Sequence, residues 1–422
     1  MSDKYMKRVV DGHLKDRLRS SGAVLIEGTK WCGKTRTSKE HAASTIYMQD
    51  PDRRKQYMSM AELKPSELLK GDTPRLIDEW QLAPILWDAV RFEVDNRNGA
   101  AGQFILTGSS VIPEDKIMHS GAGRISRILM RPMSLFESSD SDGSVSMAKL
   151  FEQPGDISGC SEMSLEKITY CIVRGGWPES VGKDERTAIM KVQDYVNTIA
   201  HTDISAVDGI RRDPKLILDI LRSFSRNIAT TASMSTIRGD VSGSGSDMSE
   251  KTMASYVNAL RRLFVIEDVP AWNPSMRSKS AIRASPKRHF VDPSIAATMF
   301  HSSSQGLMND LNTLGFLFES LCVRDMRVYA QAIDGEIYHY HDRTDLEADA
   351  IIHLRDGRWA AAEIKLGQER VDEAARNLLR LKEKVDTDKM HAPSFLMVIT
   401  SSGYAYERKD GVLVVPIGCL KD

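Results

Sequence analysis

Over its first third, the chain alternates short apolar runs with polar or helical segments. Four runs up to residue 138 are AVLIEG, STIYMQD, PRLIDEW and QFILTGSS. Strands that are apolar at almost every position are typical of a parallel sheet covered by helices on both faces. We therefore predict an N-terminal α/β domain.

The rest of the chain divides into a helical region and a second α/β region. Residues 138–167 are rich in Ser, Gly and Asp, which indicates a surface excursion or a boundary. Helical spacing follows, and it is clearest at Met253, Val257, Leu260 and Phe264. The runs EIYHYHDR, LEADAIIHL, RWAAAEIKL, SFLMVIT and GVLVVPI then predict a second sheet. We expect three domains, at 1–165, 166–305 and 306–422.

Composition narrows the cellular setting and the partners. The 57 basic and 58 acidic side chains nearly cancel, so no global positive field draws the protein to nucleic acid or anionic lipid. No apolar run approaches the roughly 20 residues that a membrane-spanning helix needs. The start, MSDKYMKRVVDGHL, lacks the apolar core of a signal peptide. The five cysteines show no C-x-x-C spacing. We expect a cytoplasmic protein with reduced thiols and no membrane partner.

The stretch IEGTKWCGKTRT has the spacing G-x-x-x-x-G-K-T directly after an apolar strand. In a phosphate-binding loop, backbone N–H groups and the start of the next helix face the phosphates. Lys34 would reach the β- and γ-phosphates, and Thr35 would bind Mg²⁺. An ordinary strand-to-helix turn is the alternative. The predicted ATP-binding residues are Gly28, Thr29, Lys30, Trp31, Cys32, Gly33, Lys34, Thr35, Arg36 and Ser109.

Two more strands end in polar side chains. The run RLIDEW ends in adjacent acids, of which Asp78 is expected to hold Mg²⁺ and Glu79 to orient or deprotonate the attacking water. A strand that ends in a charged turn is the alternative. The end of the run QFILTGSS contains Thr107, Ser109 and Ser110, whose hydroxyls are candidates to contact the γ-phosphate or the water.

With these motifs placed, the whole chain resembles bacterial and archaeal AAA-like ATPases that carry a C-terminal DUF4143 domain. The resemblance rests on LIEGTKWCGKT, YMQDPD, PRLIDEWQLAPILWDAVRFEVD, FILTGSS, GRISRILMRPMSLFES, RGGWPE, KRHFVDPSIAA, LGFLFESLCVRDMRVYA and AAEIKLG. It implies a P-loop ATPase domain, a winged-helix middle and a C-terminal α/β domain like that of restriction endonucleases. Arg124, in AGRISRI, would stabilise transition-state charge in its own subunit or in a neighbour of a homo-oligomer. A solvated surface arginine is the alternative.

The implied winged-helix segment covers about Asp213–Asp292. Met253–Phe264 would be the second helix of a helix-turn-helix, with Arg261 and Arg262 near its end and the basic run RSKSAIRASPKRH soon after. Such a helix can enter a DNA major groove. Packing against protein is the alternative, and we favour it because two arginines are few phosphate contacts.

The run LEADAIIHLRDGRWAAAEIKLG predicts a hairpin with Asp349 on one strand and Glu363 and Lys365 on the next. Two carboxylates and a lysine can bind Mg²⁺ and steady a hydrolytic water, as in the D…E-x-K arrangement of restriction-type nucleases. Glu319, in a predicted helix, matches the helix acid of that fold. The predicted metal ligands here are Glu319, Asp349 and Glu363. The alternatives are an exposed hairpin with a salt bridge, or a nuclease fold kept as a scaffold.

Together these features predict an ATP-hydrolysing molecular switch that uses ATP and Mg²⁺ and acts on an unidentified protein partner. The second interpretation is a Mg²⁺-dependent DNA nuclease regulated by ATP. The third is a nucleotide-sensing interaction module that turns over slowly, if at all.

Overall fold

Two compact units make up the chain. The computed structural model describes residues 5–110, 118–243, 248–274, 285–385 and 390–422. The first unit comprises the chain up to Pro132 together with Thr202–Arg211 and Asn258–Val265. Its principal elements are α1 (Val10–Ser20), β1 (Ala23–Glu27), α2 (Lys34–His41), β2 (Ser44–Tyr47), α3 (Arg54–Leu63), β3 (Arg75–Asp78), α4 (Ile85–Asn96), β4 (Phe104–Gly108) and β5 (Ile125–Leu129).

The five strands form one parallel sheet in the order β2-β3-β4-β1-β5. Successive residues of a strand point to opposite faces. Leu25 accordingly packs in one apolar cluster with Val90 of α4, and Ile26 packs in another with Leu14 of α1. Burial on both faces explains why β1 is apolar at almost every position. The predicted parallel sheet with helices on both faces is confirmed.

The register brings the carboxyl ends of the strands to one edge of the sheet. Glu27, the last residue of β1, lies opposite Gly108 of β4 and Leu129 of β5. In open parallel sheets, ligands bind outside this edge. The segments that follow Glu27, Asp78 and Gly108 are therefore placed to build a common site.

The second unit comprises Met133–His201, Arg212–Val257 and Ile266–Asp422. In its first half lie β6 (Val145–Ser146), α5 (Met147–Glu152), β7 (Gly159–Ser161), α6 (Leu165–Arg174), α7 (Glu185–Thr198), α8 (Pro214–Arg226), α9 (Met234–Gly243) and α10 (Glu250–Arg262), whose last residues are counted with the first unit. In its second half lie α11 (Ser294–Met299), α12 (Ser304–Met308), α13 (Leu311–Ala332), β8 (Gly335–His341), β9 (Glu347–Leu354), β10 (Trp359–Lys365), α14 (Val371–Lys384), β11 (Leu396–Thr400), β12 (Gly403–Glu407), β13 (Leu413–Pro416) and β14 (Leu420–Lys421).

A mixed sheet forms the core of this unit, in the order β7-β12-β13-β11-β10-β9-β8. Strands β8, β9 and β10 are antiparallel, and β10, β11 and β13 are parallel. The predicted hairpin turn at Arg355–Gly357 is present: Leu354 N donates to Arg358 O at 2.8 Å, and Gly357 has φ 90°. The C-terminal α/β region is confirmed as a mixed sheet.

The segment predicted to be a surface excursion or a boundary, residues 138–167, supplies the two short strands β6 and β7. β7 pairs with β12, with Cys160 opposite Tyr404, and β6 pairs with β14. Strands of two or three residues are too short to show an alternating apolar pattern, so they could not be predicted from the sequence. The two compact units divide the chain first at Met133, and the domain limits at residues 165 and 306 stay a prediction.

Helix α13 buries an ion cluster. Arg324 donates from Nε and Nη2 to Asp325 Oδ1, at 2.9 and 2.7 Å, and from Nη1 to Asp292 Oδ2 at 3.0 Å. Asp325 also accepts the backbone N–H of Leu135 at 2.9 Å. A buried charge is tolerated only when it is paired in this way. Neither this helix nor any other in the described ranges has the length and apolar character needed to cross a bilayer.

Candidate functional site

The phosphate loop leaves β1 and curls before α2. Gly28 has φ 151°, and a Cβ placed there would lie 2.1 Å from Met130 O. Gly33 has φ 102°, in the left-handed region that favours glycine. Both glycines of the motif are therefore required by the backbone, which is what a phosphate-binding loop needs and an ordinary turn does not.

Lys34 lies in the concave side of this loop. Its side chain is buried, and Nζ donates to Gly28 O at 2.8 Å and to Thr29 O at 2.7 Å. The loop's own carbonyl groups thus hold the ammonium group where a phosphate-binding loop receives anionic oxygen atoms. A bound phosphate would exchange two neutral acceptors for charged ones.

Three side chains meet behind the loop. Thr35 Oγ1 donates to Asp78 Oδ1 at 2.8 Å, and Thr107 Oγ1 donates to the same oxygen at 2.7 Å. Gln49 Nε2 donates to Asp78 Oδ2 at 3.0 Å. Asp78 is fully buried, so these three donors stabilise a carboxylate that would otherwise be costly to bury. The structure brings together the two residues predicted to bind Mg²⁺.

Glu79 follows directly and has the uncommon left-handed conformation, with φ 57°. Its backbone N–H donates to Thr107 Oγ1 at 3.1 Å. Its carboxylate accepts hydrogen bonds from Gln81 Nε2 and, at 3.2 Å, from Ser109 Oγ. The strained backbone turns the carboxylate away from the path of β3 and towards the end of β4. This is the kind of backbone that recurs at functional sites.

The remaining loop residues are held from several sides. Lys30 Nζ forms a 2.6 Å ion pair with the buried Asp203. Arg8 donates from Nη1 to Cys32 O, and Cys32 is itself buried. Arg36 pairs with Glu40 at 3.0 Å on the exposed side of α2. Trp31 has φ 75°, and Thr29 is fully buried.

Arg124 lies at the opposite end of the sheet from the loop. Its carbonyl accepts from Ala23 N, at the first residue of β1, and its guanidinium pairs with Asp95 at 2.9 Å. The loop follows the last residue of β1, about 13 Å further along at about 3.3 Å per residue. The predicted contact with transition-state charge in the same subunit is therefore contradicted, because sequence did not show at which end of β5 the arginine stands.

A second cluster of ionisable groups lies in the C-terminal sheet. Lys365 Nζ is 2.6 Å from Glu363 Oε2 and 3.6 Å from Asp349 Oδ2. Glu319, from α13, reaches the same cluster, and all of these groups except Glu363 line a cleft of about 970 Å³. The convergence predicted from the hairpin is present.

A lysine that sequence reasoning missed also lies in this cluster. Lys287 Nζ is 2.7 Å from Glu319 Oε1 and 2.8 Å from Asp349 Oδ1. Within the described ranges there is no group of three or more His, Cys, Asp or Glu side chains that could hold a metal ion. The predicted metal set Glu319, Asp349 and Glu363 is therefore not supported, because an ammonium group fills the space between two of its members.

Two arginines of the middle region form hydrogen bonds or ion pairs within the protein. Arg262 Nη2 donates to Val207 O at 2.9 Å. Arg288 is buried and pairs with Asp268 at 2.8 Å. Residues 277–284 of the predicted basic run lie outside the described residues. These two arginines contact protein, and contact of the winged-helix segment with DNA stays a prediction.

The site residues that were not predicted differ in whether the sequence around them contains a recognisable signal. Gln81 lies two positions after Glu79, on the helical turn Trp80–Leu82, so its proximity could have been anticipated. Gln49, Arg8 and Lys287 come from distant parts of the chain and carry no local signal.

Three segments of the chain match known protein families. Residues 20–139 match the family described as AAA domain. Residues 165–306 match a domain of unknown function, DUF8612, and residues 314–420 match another, DUF4143. These matches confirm the predicted combination of an AAA domain with a C-terminal DUF4143 domain. No curated protein matches the chain.

Several solved structures are distantly similar. The Walker-type ATPase PABY2304 of Pyrococcus abyssi is 13% identical over 70% of this chain and 96% of its own, with a TM-score of 0.41. A DNA replication initiation factor is 14% identical over 60% and 86%, with a TM-score of 0.24. Drosophila ORC bound to DNA is 12% identical over 66% and 89%, with a TM-score of 0.22. Similarities this weak carry no argument about function.

Proposed function

We propose that this chain, which joins an AAA domain to a C-terminal DUF4143 domain, is a molecular switch that binds and hydrolyses ATP at the loop Gly28–Thr35. The observation that carries the proposal is the contact of Thr35 and Thr107 with the buried Asp78. This contact joins the loop residue Thr35 to side chains at the ends of β3 and β4, and the loop's lysine points to the loop carbonyl groups. A strand-to-helix turn with no ligand would need none of these contacts.

Thr35 and Asp78 fit a magnesium ion, since hydroxyl and carboxylate oxygen atoms suit this ion and the two side chains already touch. When bound with ATP, Mg²⁺ would neutralise charge on the phosphate oxygens. Lys34 would move its ammonium group from the loop carbonyls to the phosphates. The backbone N–H groups of Gly33, Lys34 and Thr35 would face the same oxygen atoms.

Glu79 is our candidate general base. The carboxylate lies beside the phosphate side of the sheet and is held by Gln81 and Ser109. Both donors bond to Oε2, so Oε1 would be the oxygen that accepts a proton from water. Gln81 and Ser109 are thus positioning residues, because their hydrogen bonds fix the position of the Glu79 carboxylate.

The experiment that tests this function is ATP turnover by the full chain, measured with and without duplex DNA. Turnover that requires Mg²⁺ supports the switch. Binding of ATP with capture of a protein partner but no turnover would instead indicate a nucleotide-sensing module. Absence of ATP binding would refute both.

A metal-dependent nuclease is a second candidate, favoured by the convergence of Glu319, Asp349 and Lys365 on the C-terminal cleft, with Glu363 bound to Lys365. Lys287 counts against it, and we expect no cleavage of DNA by the wild type in Mg²⁺ or Mn²⁺. Cleavage that disappears in Asp349→Ala would establish the nuclease and refute this expectation.

A further inference from the structure

Lys287 is held in the C-terminal cluster by its backbone as well as by its charge. Its N–H donates to Val269 O, and Val269 N donates back to Lys287 O, both at 2.9 Å. The next residue, Arg288, is anchored by Asp268. The lysine therefore enters the cluster from a fixed antiparallel pair, which limits how far its ammonium group can move.

The ammonium group of Lys287 forms ion pairs with two carboxylate groups. It contacts Glu319 Oε1 and Asp349 Oδ1, and the exposed fractions of the three side chains are 9% for Lys287, 12% for Glu319 and 6% for Asp349. On the other side, Asp349 Oδ2 accepts the N–H of Ile364 at 2.9 Å and lies 3.6 Å from Lys365. Both oxygens of Asp349 are thus engaged by donors or cations.

Charge keeps this arrangement in place. Lys287 Nζ lies 2.7 Å from one oxygen of Glu319 and 2.8 Å from one oxygen of Asp349, and lysine, with a usual pKa of about 10.4, is a cation at neutral pH. A divalent ion placed between the same oxygens would be repelled by this ammonium group at contact distance.

We propose that Lys287 is a tethered cation that takes the place of a divalent metal ion between Glu319 and Asp349. While this lysine remains paired, the cleft binds neither Mg²⁺ nor Mn²⁺. The inference concerns the same cleft as the second candidate function, but it is tested by ion binding and not by cleavage. It is independent of ATP hydrolysis in the first unit.

The test measures binding of Mn²⁺ to the full chain by electron paramagnetic resonance, without nucleotide. All proteins carry Asp78→Asn, so that the phosphate-loop site contributes no bound ion. The parent should bind no Mn²⁺ at submillimolar concentration. Lys287→Met should bind one ion at least tenfold more tightly than the parent. Lys365→Met, which removes an equal charge but leaves Lys287 between its carboxylates, should gain less than threefold.

Lys287→Ala supplies a measurement that does not depend on the methionine variant folding. Ethylammonium should occupy the vacated space, raise the melting temperature of this variant and compete with Mn²⁺. Tight Mn²⁺ binding by the parent would overturn the proposal. So would a folded Lys287→Met protein with no gain in affinity, or Mn²⁺ binding to Lys287→Ala that ethylammonium does not affect.

Discussion

Thr35 donates a hydrogen bond to Asp78 across 43 positions of sequence, with 2.8 Å between Oγ1 and Oδ1. The strand β4 lies between β1 and β3 in the sheet, and its Thr107 donates to the same carboxylate oxygen. Hydrogen bonds within the protein thus hold the two proposed magnesium ligands together. Groups held in place in advance lose little entropy when the ligand arrives.

Lys34→Ala should abolish ATP binding, because the loop loses the cation that would meet the phosphates. Glu79→Gln should keep ATP binding but lower turnover by about 10² to 10⁴-fold, the usual contribution of a general base. Binding is measured with a fluorescent ATP analogue and turnover by phosphate release.

The exposed Lys39, on the same helix as Lys34, provides the matched control. Lys39→Ala should bind and turn over ATP like the wild type. Wild-type turnover by both Lys34→Ala and Glu79→Gln would disprove the assignment of the site.

Gly28→Ala should prevent formation of the phosphate loop, since the new Cβ would meet Met130 O at 2.1 Å. ATP binding should be lost. Gly12→Ala is the control, because a Cβ there meets nothing within 4 Å and alanine favours a helix over glycine by about 1 kcal/mol. Calorimetric titration with ATP distinguishes the two. Retained affinity in Gly28→Ala would contradict the described loop backbone.

Arg124→Ala should leave turnover within about twofold of wild type in a dilute, monomeric sample, because Arg124 lies at the far end of the sheet and surface changes are usually of small effect. Asp95→Ala, which removes its ion-pair partner, should behave alike. If Arg124→Ala loses about 10³-fold or more while Asp95→Ala does not, Arg124 acts on a neighbouring subunit. Repeating the assay across protein concentrations tests that case.

Arg324→Met should lower the free energy of unfolding by about 3–5 kcal/mol, because it leaves Asp292 and Asp325 buried without their cation. Arg343→Met, at an exposed position, should change it little. Urea unfolding followed by circular dichroism measures both. Equal stability of the two variants would mean that the ion cluster of α13 adds no net stability.

Because His339 is buried, we expect the free energy of unfolding to fall in mild acid. Burial, with the charge of Lys287, lowers its pKa to about 4, so the unfolded chain binds this proton more readily than the native chain. The stability that depends on the neutral form is present above pH 6.5 and is lost as the pH falls towards 4. Between pH 7 and pH 5 the loss is about 2 kcal/mol.

His339→Gln should remove that part of the pH dependence, whereas the exposed His391→Gln should not. The free energy of unfolding is measured in urea at the two pH values. An unchanged pH dependence in His339→Gln would show that another group is responsible.

Features that depend on residues close together in the sequence could be predicted, and contacts between distant residues could not. The loop at Gly28–Thr35 and the acids at Asp78 and Glu79 follow from apolar strands and fixed spacing, and the structure places them together. The hairpin of Asp349 and Glu363 was equally local. Lys287 was not predictable, because it meets Glu319 and Asp349 only through tertiary packing, 32 and 62 positions away. The position of Arg124 was predicted wrongly, because the motif around it does not show at which end of β5 the arginine lies.

The pairing of β7 with β12 and of β6 with β14 has a consequence for synthesis of the chain. More than half of the sequence separates Cys160 from Tyr404, its partner across the strands. The parallel sheet of the first unit needs only residues 23–129, which emerge early from the ribosome. The mixed sheet cannot gain its edge pair of β7 with β12 until residues 403–407 are released, and the separate pair of β6 with β14 must wait for Leu420 and Lys421. Nascent chains therefore expose unpaired strand edges throughout translation, the state in which chaperones protect a protein from aggregation.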